Sequence, residues 1–98
     1  MTTEQTSIEQ VFQKAGYSSS TDYAVKKMQE ELLHDLKVCS ERMEVFEKKY
    51  DMSYLEFHLR FDELTQVNQY ERECDSMDWR VELYEMRGIA KQLAQLIP

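Results

Sequence analysis

The segment from about Thr21 to Tyr50 constrains the fold most, because it contains neither glycine nor proline and its apolar residues recur every three or four positions. That period is typical of an α-helix with one apolar face, and the steps are those of a coiled-coil seam. The seam residues, which we predict to mediate self-association, are Val25, Met28, Leu32, Leu36, Cys39, Met43 and Phe46. At 1.5 Å per residue the helix spans roughly 43 Å, so we expect an elongated molecule.

Composition extends the helical prediction to the whole chain, since its 98 residues include only two glycines and one proline. Residues 1–20 form a predicted leader with a short helix and a serine-rich hinge, which is either a docked terminus or a partner-binding arm. Residues 21–98 form a predicted single all-α domain with almost no strand. A chain this short buries only a modest core, so we expect its helices to form a dimeric bundle.

A second helix is predicted to begin after Ser53, where the local sequence signal is sharpest. Ser53 can cap the backbone amide of Glu56, and the Glu56 carboxylate can return to the Ser53 amide to complete a capping box. Met52 can pack on Phe57 as a hydrophobic staple. This helix is predicted over about residues 54–65. Residues 65–76 are polar and acidic, and they either extend the helix or form a loop.

The terminal helix is predicted over about residues 77–97, with Asp75 or Ser76 as its N-cap. Its apolar residues follow one another at alternating steps of four and three, which is a heptad pattern. The seam residues of this helix are Trp79, Leu83, Met86, Ala90, Leu93 and Ile97. Gly88 lies inside the pattern and costs about 1 kcal/mol of helix propensity relative to alanine.

The charge balance indicates what the chain binds, because 19 acidic residues oppose 12 basic ones and the formal net charge is −7. Most of this excess lies in the second half of the chain. Such a surface repels phosphate backbones and anionic membranes and attracts basic proteins. We therefore predict a basic protein partner and no direct nucleic-acid binding. The apolar runs are too short to cross a membrane.

The cysteines and the N-terminal residues predict the compartment. Cys39 and Cys74 belong to no CxxC pair, and Met1-Thr2-Thr3-Glu4 lacks the layout of a signal peptide. We expect reduced thiols and a cytoplasmic protein.

Two histidines have neighbours that could support chemistry. Asp62 could orient His58 from four positions away, and Glu31 and Asp35 lie near His34. Neither histidine has an evident nucleophile, and His58 lies between Phe57 and Phe61, so we interpret it as a helix-packing residue. Ligand pairs with metal-site spacing are also missing from the sequence. We predict no catalytic residues, no cofactor and no metal.

The acidic stretch from Asp62 to Glu85 is either a solvated face or a docking surface. The aromatic residues on and beside it favour docking, since a buried aromatic anchor surrounded by charge is common at interfaces. The aromatic anchors predicted for a partner are Tyr54, Phe57, Phe61, Tyr70, Trp79 and Tyr84. The predicted charge complements are Asp62, Glu63, Asp75, Asp78 and Glu82.

The phrases that carry a family resemblance are Phe46 to Phe57 (FEKKYDMSYLEF), Arg60-Phe61, and Asp78-Trp79 before a leucine-spaced helix. They resemble the small acidic antitoxins of prokaryotic type II toxin-antitoxin pairs over roughly half to two thirds of the chain. Asp51 stands where that pattern has glycine, and the leader before Tyr23 departs from the pattern. The resemblance implies a chain that wraps and silences a ribonuclease-type toxin without catalysis of its own. The alternative is a self-associating helical structural or scaffold protein.

Overall fold

The computed structural model describes the backbone of residues 3–96 and the side chains of residues 7–96. Its helices are α1 (Thr3–Lys14), α2 (Ser20–Tyr50), α3 (Tyr54–Leu59) and α4 (Gln69–Leu96), with a 3₁₀ turn at Phe61–Glu63. No strand occurs among residues 3–96, so the all-α prediction is confirmed. The radius of gyration is 21.0 Å and the extents are 68 × 19 × 18 Å. A compact chain of this length would have a radius of gyration of about 13 Å, so the predicted elongation is also confirmed.

Helices α2 and α4 form a long antiparallel hairpin. Near its open end, Gln29 Nε2 donates to the carbonyl oxygen of Leu96 at 3.4 Å. Arg42 pairs with Glu82 further along. At the opposite end, which we call the closed end, Lys49 lies 2.7 Å from an Asp75 carboxylate oxygen. As residue numbers increase along α2, the numbers of their partners on α4 decrease, which shows that the two helices are antiparallel.

This hairpin covers most of the α2 seam that was predicted to mediate self-association. Leu32 and Cys39 are buried, while Met43 and Phe46 pack against the core of the closed end. Val25 and Leu36 are half-buried, and Met28 remains exposed. Leu32 and Cys39 are therefore intramolecular packing residues, which corrects their assignment to a homodimer contact, whereas self-association through the rest of the seam stays a prediction. Ile97, the last predicted seam residue of the terminal helix, lies outside the described residues.

The core of the closed end is aromatic. Its buried members are Tyr50, Phe57, Leu64 and Trp79. The Trp79 ring stacks on Phe46 at 5.6 Å between centroids and lies 5.2 Å from the Phe57 ring. Offset and tilted aromatic pairs contribute beyond their apolar area, so this cluster concentrates stability at one end of the rod.

The capping interactions predicted for the start of α3 form only in part. Ser53 Oγ accepts a hydrogen bond from the Glu56 amide at 3.3 Å, which confirms the predicted N-cap. The Glu56 carboxylate pairs with Arg60 and does not complete the reciprocal half of the box. Asp51 ends α2 in the left-handed region, with φ of 55°, a conformation that favours glycine.

Two helix boundaries differ from the prediction. Helix α3 ends at Leu59, and α4 begins at Gln69, well before the predicted residue 77. The buried Arg72 side chain explains the break, because it donates hydrogen bonds to the carbonyl oxygens of Phe61 and Val67 and thereby holds a non-helical connection.

The N-cap of α4 also differs from the prediction. Asn68 accepts from the Glu71 amide at 2.9 Å and caps the helix, so the predicted caps Asp75 and Ser76 lie inside it. Residues 65–76 thus split into a short loop and the first two turns of α4.

Helix α1 docks against the start of α2. The Phe12 and Tyr23 rings lie 5.1 Å apart, and the Ser20 amide donates to a Glu9 carboxylate oxygen at 3.0 Å. At the end of α1, the amides of Gly16 and Tyr17 return to the carbonyl oxygens of Gln13 and Phe12 respectively. This Schellman arrangement places Gly16 at φ of +99°.

The two glycines are expected to respond oppositely to alanine. Gly88→Ala should raise the free energy of unfolding by about 0.5–1 kcal/mol, because the position is helical and an added Cβ meets open space. Gly16→Ala should lower it by about 1–2 kcal/mol, since its positive φ disfavours an L side chain. Urea unfolding monitored by circular dichroism measures both. A loss of stability in Gly88→Ala would contradict the open surroundings of that residue.

Among residues 3–96, no helix combines the length and apolar character needed to cross a lipid bilayer.

Candidate protein-docking face

Two of the predicted aromatic anchors are core residues. Phe57 and Trp79 are both 0% exposed, at the centre of the closed end. Tyr54 and Phe61 are half-buried and pack against the same cluster, with the Arg72 guanidinium over the Phe61 ring at 5.0 Å. The assignment of Phe57 and Trp79 as partner contacts is therefore corrected, because neither offers a surface in this fold.

Two of the predicted charge complements already serve intramolecular contacts. One Asp75 carboxylate oxygen accepts from Lys49 Nζ at 2.7 Å and from the Tyr50 hydroxyl at 2.6 Å. Glu82 pairs with Arg42 across the hairpin, and its side chain is only 13% exposed. These two carboxylates hold the hairpin together, which corrects their assignment as partner contacts.

The remaining predicted residues are exposed. Asp62 and Glu63 lie on the 3₁₀ turn, where Glu63 pairs with Arg60. Asp78, Tyr70 and Tyr84 lie on α4, and the two tyrosines are 77% and 64% exposed. The structure thus separates the predicted set into a core group, a hairpin-bridging group and a surface group.

Tyr70 and Tyr84 belong to a continuous stripe that we call the outer face of α4. Its residues follow one another at steps of four, three, four and three, and they are Tyr70, Cys74, Met77, Val81 and Tyr84. At 100° per residue this stripe lies opposite Trp79 and Leu83, which pack in the core. All of its members except the half-buried Cys74 are exposed. The face extends about 21 Å along the helix.

Charge is distributed unequally along the two edges of the outer face. The edge nearer α2 is acidic, with Glu71, Asp78 and Glu85 each following an outer-face residue directly. Lys49 offsets Glu71 at 2.6 Å, whereas Asp78 makes no ion pair within the described residues. The other edge carries Glu73 and two arginines. An apolar stripe with one acidic edge is suited to a helix that carries basic residues beside its own apolar stripe.

Met77 and Val81 were missed as candidate contacts, although a signal for them was present. Helix α4 contains two interleaved heptad patterns, one through Trp79 and one through Met77. The Trp79 pattern continues to Ile97 near the end of the chain and therefore predicts the seam of the helix. The spacing alone would have identified the second pattern, and only packing against α2 shows which one is covered.

A second feature missed by sequence reasoning is a cluster of Cys39, Glu82 and Glu85, whose candidate ligand atoms lie within 4.8 Å of one another. Cys39 Sγ donates to a Glu85 carboxylate oxygen at 3.7 Å. Burial, followed by the neighbouring carboxylates, raises the pKa of the Cys39 thiol to about 11. The thiol therefore keeps its proton at neutral pH and is a poor nucleophile. More than 40 positions separate the cysteine from the glutamates, so only the hairpin register brings them together.

Neither histidine acquires a catalytic arrangement among the described residues. The His58 ring stacks on Tyr54 with 6.1 Å between centroids, and no hydrogen bond joins it to Asp62. His34 is exposed on α2, without a hydrogen bond to Glu31 or Asp35 in that part of the chain.

Comparison with known proteins gives no match: no protein-family model, curated protein or solved structure is significantly similar to the chain.

Proposed function

We propose that this chain is a protein-binding module that captures a basic amphipathic helix of another protein on the outer face of α4. The observation that carries the proposal is the exposed stripe itself. Of the eleven large hydrophobic side chains that are exposed among residues 7–96, four share one face of one helix: Tyr70, Met77, Val81 and Tyr84. Contiguous exposed apolar patches on soluble proteins are commonly interaction sites.

The acidic edge supports a basic partner. Asp78 lies beside Met77 and Val81 without an ion pair in the described part of the chain, and the whole protein carries a net charge of −7. A basic helix would bring its own charges against this edge, which accelerates association at low salt. The resemblance to small acidic antitoxins supports a ribonuclease-type toxin as the partner. In that proposal the module silences the toxin by binding to it and performs no catalysis of its own.

Self-association through the same face is the second candidate, and the heptad spacing favours it. Charge opposes an antiparallel pair of α4 helices, which would place two acidic edges opposite each other. In a parallel pair Glu73 would face Asp78 of the second copy while Arg80 would face Glu85, so one repulsive and one attractive contact offset each other. Because each copy carries a net charge of −7, a basic protein is the better occupant.

Val81→Asp is expected to weaken partner binding by about tenfold or more, because it places a carboxylate in the centre of the apolar stripe. The matched control is Leu33→Asp, which adds the same charge at an exposed apolar position on α2. Both tagged variants and the parent chain are recovered from the native host at low and at high salt. Circular dichroism checks that the variants remain helical.

We expect the parent chain to recover a stoichiometric amount of a basic protein at low salt. Leu33→Asp should retain this protein, and Val81→Asp should lose it. Ribonuclease activity should appear in that protein once it is separated from the module. Retention by both variants would place the contact elsewhere on the chain. Recovery of the chain alone, as a dimer indifferent to salt, would establish self-association and overturn the neutraliser proposal.

A further inference from the structure

We propose that a pocket between α3 and α4 binds a small oxyanion, specifically the phosphate group of a small monoester. We call it the α3–α4 pocket. Its volume is about 220 Å³, and its lining residues are Tyr54, His58, Arg80, Leu83, Tyr84 and Arg87. The pocket is distinct from the outer face of α4 apart from Tyr84, which borders both.

Two arginines that lack carboxylate partners carry the inference. Arg42 and Arg60 pair with glutamates, and Arg72 donates to two backbone carbonyl oxygens. Arg80 and Arg87 have no carboxylate within ion-pair distance among the described residues, although acidic residues outnumber basic ones by 19 to 12. Both line the same pocket. Lys14, Lys37 and Lys91 also make no ion pair in the described part of the chain, so the absence of a carboxylate is not distinctive by itself. The distinctive feature is that two such arginines line one pocket together with His58 and two tyrosines, and this set of donors is suited to an anion supplied from outside.

The walls of the pocket hold these groups in place. Arg80 and Arg87 are seven positions apart on α4, so they lie two turns apart on one side of the helix. The Arg87 guanidinium lies 6.0 Å from the centre of the Tyr84 ring, which supports it as a cation–π contact. On the opposite wall, His58 stacks on Tyr54, and Tyr54 meets the buried Trp79 ring edge-on at 5.4 Å. The α3 wall is therefore anchored in the core.

The chemistry of the lining selects the ligand class. Guanidinium groups match the oxygens of a phosphate or carboxylate in paired hydrogen bonds, and the tyrosine hydroxyls and the histidine add further donors. Leu83 contributes an apolar surface on which a small ring can rest. A volume of about 220 Å³ is below the range of about 300–1,000 Å³ for drug-sized ligands. The pocket therefore suits a small aryl phosphate better than a nucleotide with its sugar and base.

The test titrates the full chain with inorganic phosphate, phenyl phosphate and benzoate at constant ionic strength, and nuclear magnetic resonance follows the arginine and histidine side chains. Saturable shifts of Arg80, Arg87 and His58 are expected with phenyl phosphate, with a Kd on the order of 1 mM. Tighter binding of phenyl phosphate than of inorganic phosphate identifies a monoester as the ligand. Tighter binding of inorganic phosphate than of phenyl phosphate identifies free phosphate as the ligand. Preferential binding of benzoate would overturn the phosphate assignment.

Variants locate the site. Arg80→Gln and Arg87→Gln are each expected to weaken phenyl phosphate binding by about tenfold, as the loss of a charge-assisted hydrogen bond requires. Arg60→Gln is the matched control, because Arg60 is exposed and lies outside the pocket, and its affinity should equal that of the parent. Shifts that never saturate, or that survive in the Arg80→Gln/Arg87→Gln double variant, would overturn the proposal. Val81→Asp should leave phosphate binding intact, so failure here is distinguishable from failure of the docking face.

Discussion

Trp79→Ala is expected to lower the free energy of unfolding by about 3–5 kcal/mol. The Trp79 side chain is fully buried and contacts the rings of Phe46, Tyr50, Tyr54 and Phe57, so its removal leaves a cavity that those rings cannot close without moving. Domains of this size are stable by only about 5–15 kcal/mol, so much of the total is lost. Urea unfolding, followed by circular dichroism at the helical band, measures the change.

Trp79→Phe is the control for this experiment. It keeps an aromatic ring in the cluster and removes the indole N–H, which is buried without a hydrogen-bond partner in the described part of the chain. The expected cost is smaller, about 1–2 kcal/mol. If Trp79→Ala unfolds at the same urea concentration as the parent chain while partner binding disappears, Trp79 is a surface anchor and the core assignment is wrong.

The role of Trp79 shows what periodicity can and cannot predict. A heptad pattern identifies the residues that share a face, and it correctly predicted that Trp79 and Leu83 face an apolar surface. The pattern carries no information about whether that surface belongs to the same chain. The α2 seam was ambiguous for the same reason, since hairpin formation and dimerisation need the same spacing.

Local signals gave a mixed outcome, since the N-cap of α3 forms as predicted whereas the predicted caps of α4 do not. Ser53 caps α3 as predicted, because the cap and its amide are three positions apart. The start of α4 differs from the prediction, although Asn68 has the same relation to Glu71, because the apolar residues of the first turns, Tyr70 and Cys74, belong to the outer-face pattern and not to the Trp79 pattern. The hydrogen bonds from Arg72 to the segment between α3 and α4 could not be predicted, since Arg72 lies eleven positions from the Phe61 carbonyl.

The α3–α4 pocket was also beyond sequence reasoning. Arg80 and Arg87 were recognisable only as basic residues within an acidic stretch. Their relation to His58 depends on α3 folding back over α4 after a broken helix, and the sequence predicted an unbroken helix there. A function that depends on how two helices are placed relative to each other cannot be deduced from the hydrophobic period of either helix.

Asp75→Ala is the substitution with the second largest expected effect, about 2–4 kcal/mol of lost stability. Its carboxylate accepts from the Tyr50 hydroxyl and from Lys49 Nζ, and Tyr50 is buried in the aromatic core. Removing the acceptor leaves a hydroxyl without a partner in an apolar cluster and releases one end of the hairpin bridge. Urea unfolding at neutral pH measures this loss.

Glu71→Ala is the matched control, because Glu71 is the other carboxylate of Lys49 and its side chain is 48% exposed. Exposed ion pairs contribute little, so its removal should cost less than about 1 kcal/mol. Equal losses in the two variants would show that the interaction acts only as a surface ion pair.

Measurements at alkaline pH show whether the stability lost in Asp75→Ala comes from the hydrogen bonds of Asp75 or from a general packing defect. Burial, followed by the hydrogen bond to Asp75, raises the pKa of the Tyr50 hydroxyl, and hydrogen bonds to Asp75 and Glu71 raise the pKa of Lys49. Both groups bind protons more tightly in the folded chain, so their stabilisation is complete below their unfolded pKa values of about 10 and is lost as the pH rises above them. The parent chain should therefore become less stable above about pH 10, and Asp75→Ala should show a shallower decline. Parallel declines in the two proteins would mean that Asp75 does not control these protons.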